Sequence, residues 1–189
     1  MSVHQYKLFV FNIEKFMTFI FEVCMPRRGR NNLDEQRVFF VTTSTINKSH
    51  LFDTDEKLRK LLEIIIFNIN RNHSVLLGYV LMINHFHLLL FVRDGGKVLS
   101  KIMHDIKSYS SRKIFPNKGT VWMSRFDDVA IYTEKQFFRK LNYIHNNPVK
   151  VKLVNSQEKY IYSSAKNWIN GIEDNVVKFD LSWLSGGDA

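Results

Sequence analysis

Cysteine, proline and glycine are scarce in this chain of 189 residues, which holds one cysteine, three prolines and eight glycines. The single cysteine, Cys24, excludes a disulfide-stapled fold and a Cys-rich zinc module, and it favours a reducing, cytoplasmic location. With 45% hydrophobic residues, the chain is neither disordered nor collagen-like. It also has no apolar run near the roughly 18 residues of a membrane span, so no membrane partner is expected.

Acidic residues are also few, with 18 Asp and Glu against 27 Lys and Arg, which gives a net charge of +9. Between Lys97 and Trp168 there are 14 basic and five acidic residues, whereas the rest of the chain has 13 of each. The whole excess therefore falls within one contiguous segment. Solvated lysine faces would explain this distribution, and so would a surface that binds the phosphates of a nucleic acid.

Hydrophobic periodicity and capping residues predict a β-α-β-β-α-β order of elements, followed by a further helix. The predicted elements are a strand at Val38–Thr43, a helix that starts at Asp53 and ends near Asn72, strands at 74–82 and 85–92, a helix at 98–115 and a strand within 125–132. The further helix opens at Thr133 and must stop before Pro148. This order predicts an α+β, ferredoxin-like fold, an antiparallel sheet with helices on one face plus the further helix.

The domain organisation predicted from the sequence is one domain over residues 31–170. Residues 1–30 form an N-terminal extension of unknown role, and residues 171–189 form a C-terminal tail. Polar residues interrupt the apolar run of the extension, which argues against a signal peptide. Two explanations of the first 24 residues stay open, a natural start of translation at Met25 or a short packing helix.

The first candidate functional pair is formed by His85 and His87. Residues two apart in a strand project from the same side, so these imidazoles point together while Phe86 points into the core. Two imidazoles on one face can chelate a divalent ion. Two ordinary histidines at the start of a strand are the alternative.

The second candidate pair, Tyr143 and Asn147, lies on the capped helix. Phe137, Leu141 and Ile144 have the spacing of its buried stripe. At about 100° per residue, Tyr143 and Asn147 share a face well away from that stripe. An exposed tyrosine and an asparagine that ends the helix before proline would give the same pattern.

These two segments resemble the conserved motifs of the HUH single-tyrosine transposases. Gly78–Leu90 (G-Y-V-L-M-I-N-H-F-H-L-L-L) is similar to their histidine strand, and Tyr143–Val149 (Y-I-H-N-N-P-V) to their tyrosine helix. Among these IS200-like proteins, the REP-associated tyrosine transposases are the nearest resemblance, which extends from about Val38 to Trp168. The chain departs from the family at Ile83, where proline is frequent, and at Lys150–Lys152, where small residues are usual.

The resemblance implies a fold, a metal and a reaction. It implies the HUH endonuclease fold, with His85, His87 and Asn147 holding one Mg²⁺ or Mn²⁺ ion. Tyr143 would be the nucleophile, which forms a 5′-phosphotyrosine link during cleavage and strand transfer. The implied substrate is single-stranded DNA with a REP-like hairpin, and the protein would act as a monomer or a homodimer.

Basic residues on two predicted helices are candidates for DNA phosphate contacts in such a protein. They are Lys101, Lys107, Arg112, Lys113, Arg139 and Lys140. Two other functions would suit the same fold, a catalytically inactive nucleic-acid-binding protein and a nuclease of the replication-initiator or relaxase type. The first leaves the histidines, Tyr143 and Asn147 without a joint explanation, and the second lacks the context of the tyrosine motif found here.

Overall fold

In the computed structural model, the described part of the chain comprises residues 36–93 and 95–171, together with Thr18 and Val176. Its strands and helices are β1 (Arg37–Ser44), α1 (Asp55–Arg71), β2 (Val75–Leu81), β3 (His85–Val92), α2 (Gly95–Ile114), β4 (Asp127–Ile131), α3 (Glu134–Lys150) and α4 (Ala165–Asn170). Short 3-10 helices lie at Ile46–Lys48 and Gln157–Lys159. The predicted N-terminal extension and tail lie almost wholly outside the described residues.

The four strands form one antiparallel sheet in the order β2-β3-β1-β4. This is the order of the ferredoxin-like split βαβ arrangement, so the predicted fold class is confirmed. Strands β2 and β3 are joined through Met82–Asn84, and the amide of Met82 donates to the carbonyl of His85 over 2.8 Å. The predicted β2–β3 hairpin is therefore present.

Each face of the sheet is covered by its own apolar cluster. On one face, α1 and α2 pack their buried side chains, such as Leu61 and Ile102, against Leu88 and its neighbours in the sheet. On the other face, α3 buries Phe137, Leu141 and Ile144. The predicted helix pair and the tyrosine-bearing helix thus lie on opposite faces. None of the described helices is long and apolar enough to cross a membrane.

Two predicted helix boundaries were wrong. Helix α2 begins at Gly95 rather than Val98. Helix α3 does not stop before Pro148 but continues through it to Lys150. Proline removes a single amide donor there, and only two helical residues follow it, so the last turn tolerates it. The carbonyl of Pro148 still accepts a hydrogen bond from the amide of Leu153 over 3.0 Å.

Candidate active site

The histidine pair lies at the start of β3, on the sheet face covered by α3. Phe86, between the two histidines, is fully buried in the cluster on the opposite face, as strand alternation predicts. His87 is 4% exposed, and His85 is partly buried. The rings of His85 and His87 lie 4.9 Å apart between centroids, at 73°. The sequence prediction that both imidazoles share one side of the sheet is confirmed.

Helix α3 lies close to the sheet because the strand beneath it carries a glycine. A Cβ atom added at Gly78 would lie 2.7 Å from Cδ1 of Leu141. A second attachment is made by His145, whose Nε2 lies 2.8 Å from Oγ of Ser164. That hydroxyl also accepts from the amide of Tyr79 over 2.9 Å. These contacts fix the height and rotation of α3 over β2, and thereby the position of its polar face.

The polar face of α3 turns Tyr143 toward the histidines. The Tyr143 ring lies 5.2 Å from the His87 ring and 5.8 Å from the Phe40 ring, edge-on to both. Phe40 in turn stacks on His87 at 5.5 Å and 20°. These contacts hold one edge of the ring. Because Tyr143 remains 41% exposed, the rest of its side chain is open to an incoming molecule. It is not a core tyrosine, as the periodicity predicted.

Hydrogen bonds hold both imidazoles in place. Oγ1 of Thr42 lies 2.8 Å from Nδ1 of His87, and Oδ1 of Asn84 lies 2.7 Å from Nδ1 of His85. The Asn147 side chain also hydrogen-bonds to His85, so it reaches from α3 across to β3. Each ring therefore has its Nδ1 engaged, which fixes the orientation in which its Nε2 is presented.

Burial keeps both histidines neutral. Burial first, and then the nearby charges of His85 and Lys140, lower the pKa of His87 to about 3. Burial also lowers the pKa of His85, against the raising effect of its hydrogen bond to Asn147. Neutral imidazoles keep a lone pair available, as metal ligands must.

The donor set fits a divalent metal ion. Nε2 of His87 is buried and has no hydrogen-bond partner among the described residues. A buried polar atom of this kind costs free energy unless something binds it. The His87 ring lies next to the His85 ring, which Asn147 contacts. No group of three or more His, Cys, Asp or Glu side chains suited to a metal occurs in the described residues. The third ligand that the resemblance implies, the amide oxygen of Asn147, would complete a set of two nitrogens and one oxygen, which suits Mn²⁺ or Mg²⁺.

Two lysines on α3 place their charges over aromatic rings of the site. Nζ of Lys140 lies 4.2 Å from the centroid of Phe40, and Nζ of Lys150 lies 4.8 Å from that of Tyr143. No carboxylate in the described ranges pairs with either lysine. The surroundings of Tyr143 are therefore positively charged, as a phosphate-binding site requires.

The predicted DNA-contacting residues are divided between the two faces of the sheet. Arg139 and Lys140 lie on α3, whereas the other four lie on α2, across the sheet from Tyr143. Nζ of Lys107 donates to the carbonyls of Met123 and Ser124 over 2.6 and 2.9 Å. Nζ of Lys101 donates to Asn72 over 3.1 Å. A phosphate contact by the α2 residues thus stays a prediction for a surface distant from the histidines.

Several residues of the site are missing from the sequence-based prediction. Lys150 lies seven residues after Tyr143, a helical spacing that could have revealed it. His145 falls four residues after Leu141, on the predicted buried stripe. Thr42 and Phe40 had no such signal, because only the register of β1 against β3 places them beside His87.

Comparison with known proteins identifies the family and the fold. Residues 37–147 match the family described as IS200-like transposase. A REP-associated tyrosine transposase, solved bound to a REP hairpin, has the same fold with a TM-score of 0.64 at 20% identity. The match covers 87% of this chain and 98% of that one. A protein from Deinococcus radiodurans R1 described as a transposase matches at 21% identity, over 64% of this chain and 97% of its own, with a TM-score of 0.45. No curated protein sequence matches the chain.

Proposed function

Because the chain belongs to the IS200-like transposase family, we propose that it cleaves and rejoins single-stranded DNA through a covalent link to Tyr143. The observation that carries this proposal is the meeting of two elements from distant parts of the chain. Tyr143 of α3 touches His87 of β3, whose Nε2 is buried and unpartnered among the described residues. A metal ligand and a nucleophile would be in contact at this point.

His85, His87 and Asn147 would hold one Mg²⁺ or Mn²⁺ ion. A bound cation would supply Lewis-acid stabilisation of the negative charge that develops on the scissile phosphate. Thr42 and Asn84 keep the two imidazoles turned toward this position. The nearly complete burial of His87 excludes water from its side of the site.

Tyr143 would act as the nucleophile. Its phenolic oxygen attacks phosphorus and forms a P–O bond, its proton leaves to solvent, and the bond between phosphorus and the 3′-oxygen breaks. The departing 3′-oxygen takes up a proton and becomes a 3′-hydroxyl, while the 5′-phosphate stays on Tyr143. Attack by a 3′-hydroxyl of another strand reverses these steps and joins the DNA, so no nucleotide triphosphate is needed.

The two lysines of α3 would assist by charge. Lys140 and Lys150 flank the Phe40–Tyr143 pair from different turns of the helix. Ammonium groups beside a phosphodiester stabilise the extra negative charge of the transition state. Lys150 is the more specific candidate, because its ammonium lies directly over the ring of the nucleophile.

The substrate we propose is a DNA strand that carries an imperfect hairpin. A protein of the same fold, over nearly its whole length, is described as bound to a REP hairpin. A flexible single strand can bend its backbone toward Tyr143, whereas a duplex resists bending. The positive segment from Lys97 to Trp168 agrees with a polyanionic substrate. The single cysteine agrees with activity in the cytoplasm.

The experiment that tests this function is adduct formation. The purified protein is incubated with labelled hairpin-bearing single strands and Mg²⁺ or Mn²⁺, and SDS-resistant protein–DNA species are separated on gels. We expect an adduct that disappears with EDTA and returns when the metal is restored. Tyr143→Phe should abolish it. Tyr109→Phe, at an exposed tyrosine on the opposite side of the sheet, is the matched control and should leave it intact.

Two results would contradict the proposal. If the Tyr143→Phe protein forms as much adduct as the unaltered chain, the nucleophile is another residue. If the unaltered chain binds the strands but never forms an adduct, the protein is the inactive nucleic-acid binder that the fold also allows.

A further inference from the structure

A cleft opens beside the histidine pair, where the chain leaves and rejoins the edge of β1. The amide of Met123 donates to the carbonyl of Ser44 over 2.9 Å, and Asp127 pairs with Thr42 at the start of β4. Between these two attachments, residues 124–126 swing away from the strand. The space beneath them is a cleft of about 580 Å³, within the range of about 300–1,000 Å³ typical of small-ligand sites.

The cleft and the histidine pair share a wall. Thr42 and Ser44 line the cleft, and in the sheet they lie directly opposite His87 and His85. The Thr42 hydroxyl bonds to His87. A molecule in the cleft would therefore lie next to anything bound at the histidines.

The loop on the other side of the cleft is also tied to the histidines. Nδ2 of Asn84 donates to the carbonyl of Lys48 over 3.2 Å, and Oδ1 of the same side chain lies 2.7 Å from Nδ1 of His85. Lys48 is close enough for its charge to lower the pKa of His85, although burial lowers it more. Lys48 therefore lines the cleft and is also near His85.

The lining of the cleft combines three kinds of group. Lys48 and Arg125 supply positive charge, and neither pairs with a carboxylate in the described part of the chain. Met123, 45% exposed, and Phe126 supply apolar surface. Hydroxyl and amide groups complete the lining, together with Asp127, which suits a base amino group and not a phosphate.

The loop side of the cleft, formed by Met123 and Ser124, is attached to α2. Nζ of Lys107 donates to the carbonyls of Met123 and Ser124, the two residues at which the chain swings outward. These two bonds tie the start of the outward loop to α2. The cleft is therefore a fixed part of the fold rather than an accident of a loose loop.

We propose that this cleft binds one nucleotide of the single strand that flanks the scissile phosphate, with the phosphate at Lys48 and Arg125 and the base against Met123 and Phe126. The cleft deepens the proposed function, on which it rests, by naming where the strand lies next to the nucleophile. Cations with a flat apolar surface and hydrogen-bonding groups are what single-stranded nucleic acid requires.

The test measures how single-stranded flanks contribute to affinity, in the Tyr143→Phe protein so that binding is not followed by cleavage. Fluorescence anisotropy compares an imperfect DNA hairpin without flanks and the same hairpin with flanks of one to four thymidines on either side. We expect flanks to tighten binding by about tenfold or more. Adding Lys48→Ala and Arg125→Ala should remove that gain and leave the bare hairpin unaffected.

The salt dependence of binding separates the contribution of the phosphate contact from that of the base contact. For single strands, the slope of log affinity against log salt is about −0.7 per phosphate neutralised, so loss of both cations that hold the one phosphate should flatten it by about 0.7. Met123→Ala with Phe126→Ala should weaken flanked binding on the order of tenfold with an unchanged slope. Lys159→Ala with Lys166→Ala removes the same charge near β2, at the other edge of the sheet, and should leave the flank gain intact.

The proposal is overturned if flanks bring no gain, or if the gain and its salt slope survive loss of Lys48 and Arg125. Circular dichroism melting of each variant excludes unfolding as the cause of a loss. The proposed function is judged separately, by adduct formation with the unaltered chain. If no adduct forms but the flanks still raise affinity through Lys48 and Arg125, the proposed nucleophile is wrong and the cleft proposal stands. If an adduct forms but the flanks bring no such gain, only the cleft proposal is wrong.

Discussion

Helices α1 and α3 each span 17 residues, and each follows a threonine whose hydroxyl accepts a hydrogen bond from the amide three residues on. Each also buries an asparagine 14 residues after that threonine, Asn68 in α1 and Asn147 in α3. Cap and length are therefore the same. The helices differ in what their polar side chains contact.

Several polar groups of α1 pair with residues four positions away along the chain. Its first turns carry three ion pairs at a spacing of four residues, Lys57 with Asp53, Arg59 with Asp55 and Lys60 with Glu56. The side chain of Asn68 donates to the carbonyl of Ile64, also four residues away. A helix whose polar groups turn to their own neighbours contributes to the fold and offers nothing to a substrate.

On α3 the polar groups reach away from the helix. Asn147 bonds to His85 of another strand, and Lys140 and Lys150 lie over the rings of Phe40 and Tyr143 rather than beside carboxylates. The comparison teaches that a candidate site is recognised by polar side chains that contact other elements, more than by the number of polar side chains on a helix. Four changes would break or sharpen this contrast.

The largest difference is expected between substitutions of the two equivalent asparagines. Asn147→Ala removes the proposed third metal ligand and should lower adduct formation at least 100-fold, with an altered response to added Mg²⁺ or Mn²⁺. Asn68→Leu should leave the adduct unchanged. It should also raise stability by about 1 kcal/mol, since Oδ1 of Asn68 is buried without a partner among the described residues. Equal losses of adduct in both variants would erase the distinction between the helices.

The second largest difference is expected in the pH range over which a residue of each helix affects the stability of the fold. Burial lowers the pKa of His145 on α3 from 6.5 to about 4. The unfolded chain therefore binds a proton at that residue between these pH values, and stability falls as the pH decreases from 6.5 to about 4. The loss attributable to His145 approaches about 3 kcal/mol. His145→Gln should reduce the slope in this window, while the remaining slope from His87 persists.

The acidic residues of α1 affect stability at lower pH than His145 does. The hydrogen bond from Tyr162 and then the one from Arg59 lower the pKa of Asp55 below its ordinary 3.8. Its stabilisation is present above that value and is lost as the pH falls through the lowered pKa. Urea unfolding from pH 7 to 3 measures both windows. A His145→Gln protein with the slope of the unaltered chain between pH 6.5 and 4 would refute the assignment.

The close packing of α3 on the sheet predicts a smaller effect, which acts through the position of the helix. Gly78→Ala brings a methyl group to 2.7 Å from Leu141, so the helix or that side chain must shift. We expect a loss of about 1–3 kcal/mol of stability, together with a slower adduct reaction because Tyr143 moves with α3. Gly119→Ala is the control, since nothing lies within 4 Å of its added carbon. Equal urea midpoints for the two variants would show that α3 is not held as described.

The smallest change compares one lysine from each helix. Lys150→Met removes the charge over Tyr143 and should slow adduct formation by roughly tenfold. Lys60→Met removes a charge that pairs with Glu56 on exposed α1, and it should leave the rate within error. Rates measured under single-turnover conditions decide between them. A slower reaction in both variants would indicate a general effect of net charge.

The sequence was sufficient for the elements and for the faces of α3, but not for the contacts between elements. The spacing of Phe137, Leu141 and Ile144 predicts the buried stripe, and strand alternation places His85 and His87 together. Both patterns are local, so they can be read without knowing the fold. The predicted order of strands and helices followed from the same local signals.

What could not be predicted depends on register and on close approach. Thr42 meets His87 only because β1 pairs with β3 in one register, across 45 residues of sequence. The cleft at Arg125 exists because the chain leaves the edge of β1 for three residues, which no periodicity reports. Pro148 misled the prediction because a proline in the last turn of a helix costs little.

The placement of the histidines and the tyrosine on distant segments has a consequence in time. His87 is synthesised 60 residues before Asn147, which at about 5–20 residues per second is an interval of roughly 3 to 12 seconds. During that interval the growing chain has its pair of imidazoles but neither Tyr143 nor the amide of α3. Under the proposed function, a chain whose synthesis stops before α3 would lack both the nucleophile and the third metal ligand, and so could not cleave DNA.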